Sequence, residues 1–391
     1  MKRVAVYLDI APEGGGSFQY ARDILAALAG FDQSSITIRV WYTHALWLPI
    51  LRVLGLEGRQ LASPKGLQRI CNGLMRRLGR MLPPQACGYI FSRTYPHAAV
   101  MAWDPDIVVC PHMVSLFITP GTKQVCAIHD LMHIYEPTFP EVGEAKELAA
   151  RKILFSDLTR NASDILVDSP LGKQHVLENY TVDPDQVHIL PFRPPKALLQ
   201  AVPTAPATPL PEKFIYYPAQ FWPHKNHGRL LEAIASVRTD LPDIHCVLTG
   251  STKYDGFVKA REVISALGLE SQVSILGYVA TEEASWLYRN ARCLVMPTFF
   301  GPTNIPPLEA MALGCPVAVS DIYAMRWQCG DAAVYFKPDS VEAIAETLRT
   351  LWIDDSVCAR LQQKGLERSS AWTEDNFITT LHSILKNLCG E

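Results

Sequence analysis

Residues 299–321, FFGPTNIPPLEAMALGCPVAVSD, gather side chains suited to holding an anion. Thr303 and Asn304 are helix-capping types, Pro306 or Pro307 suits a first helical turn, and Gly314 can stop the helix before the β-rich run 316–320. A helix entered this way turns backbone N–H groups, such as that of Ile305, and the positive end of its dipole toward a ligand. Thr303, Asn304 and those N–H groups are suited to a diphosphate, and Glu309, about one turn inside, to ribose hydroxyls. Pattern alone fits an ordinary loop, helix and strand equally well.

Three other places carry comparable chemistry. Lys225, in PAQFWPHKNH, precedes an amphipathic helix at about 226–237 and can pair with a diphosphate as a point charge; a solvated lysine at a helix start is the alternative. His129 and Asp130 end the strand pattern 124–130, at the carboxyl edge where open α/β sheets bind ligands, and a structural histidine held by Asp130 fits as well. His133 follows in the same segment. Gly14, Gly15 and Gly16 form a strand, glycine turn and helix in which the backbone can approach a ligand closely. The G-x-G-x-x-G spacing is absent, which disfavours a nicotinamide dinucleotide. Turns at Gly250 and at Gly277-Tyr278 also end strand patterns, and turn chemistry explains both without a ligand.

The elements that must position these residues alternate regularly. Strand patterns at 4–10, 36–42, 106–111, 124–130, 164–169 and 186–192, with helical stretches between several of them, predict a parallel α/β sheet covered on both faces. A less regular insert, 45–98, interrupts them; within it residues 65–82 interleave arginines with apolar residues, as in a helix lying on anionic lipid or on the protein's own sheet. The proline-rich stretch from Pro191 to Pro211 reads as a boundary. Six further strand patterns, at 214–219, 245–250, 273–277, 293–298, 316–321 and 332–336, predict a second parallel sheet. An amphipathic helix follows at 373–388. The expected domains are therefore 1–195, a linker 196–212, 213–372, and a terminal helix 373–391 that can cross back onto the first domain.

Composition narrows the class. A chain of 391 residues with 48% hydrophobic and 19% charged residues builds sizeable cores, and a formal net charge of −3 gives no bulk attraction to nucleic acid. The ten cysteines are scattered without metal-type pairing, which reads as reduced core thiols of a cytoplasmic protein with no metal. The start MKRVAVYLDI is interrupted by Asp9 and Glu13 and reads as a core strand rather than a signal peptide. No apolar run is long enough to span a bilayer, so any membrane contact is peripheral, at the inner face.

NIPPLEAMALGCPVAVSD resembles the donor-site signature of the retaining, nucleotide-sugar-dependent family 4 glycosyltransferases. The resemblance implies a GT-B fold, two Rossmann-like parallel-sheet domains facing a cleft, with the acceptor on the first domain and the nucleotide sugar on the second. PAQFWPHKNH is similar to the family's phosphate-binding stretch, and HDLMHIYEP to the segment whose histidine approaches the donor sugar. The resemblance thus implies catalytic roles for His129, Lys225 and Glu309. It implies donor contacts at Gly15, Gly16, Gln220, Lys225, Gly250, Tyr278, Thr303, Asn304, Ile305 and Glu309.

It further implies no cofactor. The donor would be a nucleoside-diphosphate sugar, with GDP-mannose the leading choice. The acceptor would be a hydroxyl of a glycan or lipid-linked glycan, as in surface polysaccharide and lipopolysaccharide synthesis. Two departures stand out: many members carry two glutamates separated by seven residues, and the first falls here on Gly301, while an arginine common five residues before the lysine is Gln220. A non-catalytic GT-B subunit and a nucleotide-sugar epimerase are the alternatives. Oligomeric state is not legible.

Overall fold

The structure, a computed structural model, describes residues 1–391 except 12–14, 32–35, 62–96, 115, 117, 254 and 391. Gly14 and the basic stretch 65–82 lie outside the described residues. The chain divides into two compact units. The first comprises Met1–Leu131, Leu148–Pro191 and Glu374–Glu391, and the second Met132–Glu147 and Phe192–Thr373.

The first unit is built on seven parallel strands: β1 Lys2–Leu8, β2 Ile36–Tyr42, β3 Glu57–Gln60, β4 Ile107–Cys110, β5 Lys123–Ile128, β6 Asp164–Val167 and β7 Val187–Ile189. Their order is β3-β2-β1-β4-β5-β6-β7. The central strands carry buried, mainly apolar runs, as parallel strands covered on both faces must; β1 and β5 begin with polar residues, and β4, IVVC, is buried at every residue. β3, within the insert that the sequence reading left irregular, is the exception. Its EGRQ is exposed at every position, so as an edge strand it carries no hydrophobic pattern from which it could be read. The C-terminal helix Glu374–Cys389 belongs to this unit. His382 Nε2 lies 2.7 Å from the Ala27 carbonyl at the end of the helix Gly16–Ala29, and its ring packs on Phe31.

The second unit holds six parallel strands: β8 Ile215–Pro218, β9 Cys246–Thr249, β10 Val273–Gly277, β11 Cys293–Met296, β12 Val317–Ser320 and β13 Ala333–Phe336. The order β10-β9-β8-β11-β12-β13 reverses direction between β8 and β11. That switch point is where the connections leaving two neighbouring strands diverge, opening a crevice at their carboxyl ends. Of the proline-rich stretch, Lys196–Gln200 is a short helix whose Leu198 is buried in the second core, and the longer of the second unit's two segments starts at Phe192.

Candidate functional site

Residues 219–226 leave β8 and residues 297–304 leave β11, so the two segments flank the second unit's switch point. The first is fixed by Asn226, a buried residue in the left-handed region (φ 59°). Its carboxamide donates to the carbonyls of Pro297 at 2.9 Å and Pro338 at 2.7 Å. An asparagine tolerates this φ where a branched residue would not, and it ties three loops at one point. Lys225 precedes it, its carbonyl accepting from the Tyr217 hydroxyl at 2.8 Å. The Lys225 ammonium donates to Asn304 Oδ1 at 3.4 Å. Lys225 and Asn304, 79 residues apart, are thereby brought together.

The second segment departs from its expected form. Asn304 occupies the cap position of the helix Ile305–Ala312 with extended backbone, but its side chain makes no capping bond. Instead the buried Gln328 grips its main chain: Oε1 accepts from Asn304 N at 2.9 Å, and Nε2 donates to the Asn304 carbonyl. Pro306 and Pro307 have no N–H at all. Of the row of N–H groups expected here, Ile305 supplies the remaining one, so positive charge at this helix start rests chiefly on Lys225 and the helix dipole. Thr303 is buried one residue before the cap. Gly301 has φ +121°, and a Cβ there would meet Asn304 Nδ2 at 2.8 Å. The Asn304 carboxamide fills the space a side chain at 301 would need.

Glu309 is half-buried on the Ile305–Ala312 helix, and its Oε2 accepts from the Tyr288 hydroxyl at 2.5 Å. Burial pushes its carboxyl up to about 7, against the opposing effect of Tyr288. Tyr288 packs edge-to-face on Tyr216, whose hydroxyl lies 3.0 Å from that of Thr249 at the end of β9. Gly250 follows with φ +155°; a Cβ there would stand 2.2 Å from the Ala219 carbonyl, so only glycine lets the two strand ends approach this closely. Gln220 Oε1 accepts from Ser251 N at 3.0 Å, so its oxygen is engaged in holding the β9 turn. Tyr278, after β10, is 78% exposed and available for stacking. Among the described residues no group of three or more His, Cys, Asp or Glu side chains is arranged to hold a metal ion.

Residues 202–368, which carry every one of these second-unit residues, match the family described as glycosyl transferases group 1. This region is a group 1 glycosyl transferase domain. The chain is 25% identical over 271 residues to the O-antigen chain mannosyltransferase RfbU of Salmonella typhimurium, covering 67% of this chain and 70% of that one. It is 33% identical over 110 residues to the O-antigen chain mannosyltransferase B of Escherichia coli, a match spanning 28% of this chain and only 29% of that relative's length. Among solved structures, Anabaena HepE in complex with UDP and glucose superimposes with a TM-score of 0.70 at 14% identity, over the whole of both chains. The fold is GT-B.

Outside the group 1 glycosyl transferase domain, Gly15, Gly16 and His129 belong to the first unit. Gly15 has φ +55° at the start of the Gly16–Ala29 helix, with no heavy atom within 4 Å of a Cβ built there. His129 is buried at the end of β5, edge-on to Tyr20 at 4.8 Å, and burial lowers its pKa to about 4, so it is neutral. Asp130 pairs with Arg151 at 3.3 Å. His133 is buried and belongs to the second unit. The sequence reading missed His112, which follows β4 by two residues as His129 follows β5 by one: its Nε2 accepts from Asp9 N at 3.2 Å, and burial lowers its pKa to about 4. It also missed Gln328, Tyr288 and Asn226, whose roles depend on partners distant in the chain.

Proposed function

We propose that this protein transfers a hexosyl unit, mannose in the first instance, from a nucleoside-diphosphate sugar to a hydroxyl of a glycan or lipid-linked glycan. The observation that carries the reading is Lys225 held against Asn304 at the switch point of a group 1 glycosyl transferase domain. The names of the relatives favour mannose and surface-polysaccharide synthesis, and the UDP and glucose bound by HepE favour a nucleotide-linked donor.

The chemistry follows from the charge that develops. As the bond from the sugar's anomeric carbon to the diphosphate oxygen breaks, the electron pair leaves with the diphosphate. Lys225, the Ile305 N–H and the helix dipole stabilise that charge by preorganised electrostatics. Gln220, Thr303 and Asn304 complete the phosphate contacts, Glu309 holds ribose, and Gly250 and Tyr278 flank the nucleoside. The acceptor oxygen bonds to the anomeric carbon on the face the diphosphate leaves, its proton passing to the departing phosphate, which retains configuration without a metal. GDP is the leading nucleotide. No described helix is long and apolar enough to cross a membrane.

A thermal-shift screen with GDP, UDP, dTDP and ADP tests the reading. A nucleotide at a hundred times its dissociation constant adds roughly 2.7 kcal/mol of stability. A shift with one nucleotide, lost in Lys225→Ala, supports the donor site and names the base; no shift with any removes it. Gly301, standing where many relatives of this type carry an acidic residue, favours one second reading, a subunit that binds donor without turnover. Donor binding with neither transfer to lipid-linked glycan nor slow donor hydrolysis establishes that alternative.

A further inference from the structure

The chain leaves the first unit after Leu131 and rejoins it at Leu148, and the intervening segment packs in the second. It is anchored there by two carboxylates. Glu136 accepts from the Tyr323 hydroxyl. Glu141 Oε1 accepts from His224 twice, from its backbone N at 3.1 Å and from Nδ1 at 2.8 Å. Between these anchors, Phe139 packs on Phe299 and Phe300, both at 5.4 Å, and Val142 and Met132 form a small core with Phe300.

His224 passes this anchoring on to the phosphate side. Its ring stacks on Phe300 with centroids 3.8 Å apart and planes within 13°. Its carbonyl accepts from Phe299 N at 2.8 Å and from Thr298 Oγ1 at 3.2 Å. The next residue is Lys225, and Phe300 leads into Gly301 and Asn304, so one imidazole and one carbonyl set both segments that carry the phosphate contacts. We infer that Glu141 is a positioning residue for the donor diphosphate, acting through His224 to hold Lys225 and residues 299–304 in register. This rests on the donor-site reading above. A carboxylate suits the task because it accepts both bonds at one oxygen. Burial pushes its pKa up, but the bonds from His224 prevail and hold it below the ordinary range, so it is ionised near neutrality.

The test is calorimetric titration of the full chain with GDP, UDP, dTDP and ADP, with urea unfolding of every variant in parallel. For the nucleotide that the wild type binds, Glu141→Ala should raise Kd about tenfold, the scale of a phosphate contact moved out of place. Glu141→Gln, whose carbonyl oxygen can still accept from His224, should stay within about threefold of wild type. Val142→Ala weakens the same small core without touching His224, and should lower stability while leaving Kd unchanged. His224→Phe keeps the stack on Phe300 and loses the side-chain bond; it should raise Kd as Glu141→Ala does, and it decides the matter if Glu141→Ala does not fold. An unchanged Kd in Glu141→Ala or His224→Phe overturns the inference, as does an equal rise in Val142→Ala, which would mean general loosening. Failure of the wild type to bind any of the four nucleotides overturns the donor-site reading itself, and this inference with it.

Discussion

Asn304 faces two ways: its side-chain oxygen receives the Lys225 ammonium at 3.4 Å, while its backbone N–H is held by Gln328 at 2.9 Å. The lysine's position therefore depends on a glutamine from a separate element, the helix Met325–Cys329. Replacing Lys225 by alanine removes a charge-assisted contact worth about 1.5–3 kcal/mol, so nucleotide affinity should fall by that amount, read by calorimetry. Asn304→Ala should cost less, because the ammonium remains and what is lost is its aim and one uncharged contact.

Gln328→Leu strands the buried Asn304 N–H. The expected loss of stability is about 1–3 kcal/mol by urea unfolding, with a weaker nucleotide response because the carboxamide facing Lys225 loses its anchor. Unchanged stability would show that the main-chain grip is dispensable.

Gly301 cannot take on a side chain without penalty. Its φ of +121° and the nearness of Asn304 make Gly301→Ala destabilising by about 1–3 kcal/mol. Gly301→Glu should lower both stability and nucleotide affinity rather than raise activity, which parallel unfolding and transfer assays would check.

Glu309 gives the site a pH dependence. Its carboxyl rises from an ordinary 4.5 to about 7 in the folded chain. Between those values the unfolded chain has released a proton that the folded chain keeps, so this group's contribution to stability is full below 4.5, declines as pH rises, and is gone above about 7. Glu309→Gln should flatten that decline in a melting series. Ribose hydroxyls donate to the ionised form, so nucleotide affinity should rise about tenfold from pH 6 to 8 in the wild type and less in Glu309→Gln.

The C-terminal helix is a structural member of the first unit. Phe377 is fully buried, with its ring edge-on to Tyr20 at 6.0 Å. Phe377→Ala should destabilise by about 3–5 kcal/mol, visible as a lower urea midpoint for the first unit's transition.

Much of the fold was legible because its signals are local. Runs such as CLVM and VAVS announce buried parallel strands, and glycine and proline mark where chain direction changes. β3 was not legible, since nothing apolar distinguishes EGRQ from a surface loop. Membership of the segment Met132–Glu147 was equally hidden, because its order in the chain places it with the first domain and only packing places it with the second.

For the site, residue types and their spacing made Lys225, Asn304 and Glu309 candidates, because capping residues, a cation before a helix and a carboxylate one turn in are short-range patterns; the family resemblance, not the pattern, chose them over an ordinary loop, helix and strand. The missing N–H groups of Pro306 and Pro307 were also readable from residue type alone. Tertiary structure alone decided what those groups can still do. Asn304 spends its N–H on Gln328, Glu309 meets Tyr288 and is pushed up to about 7, and Glu141 reaches His224 across 83 residues. A hydrogen bond's partner and a carboxyl's solvation are set by what packing brings near, and no local pattern encodes that.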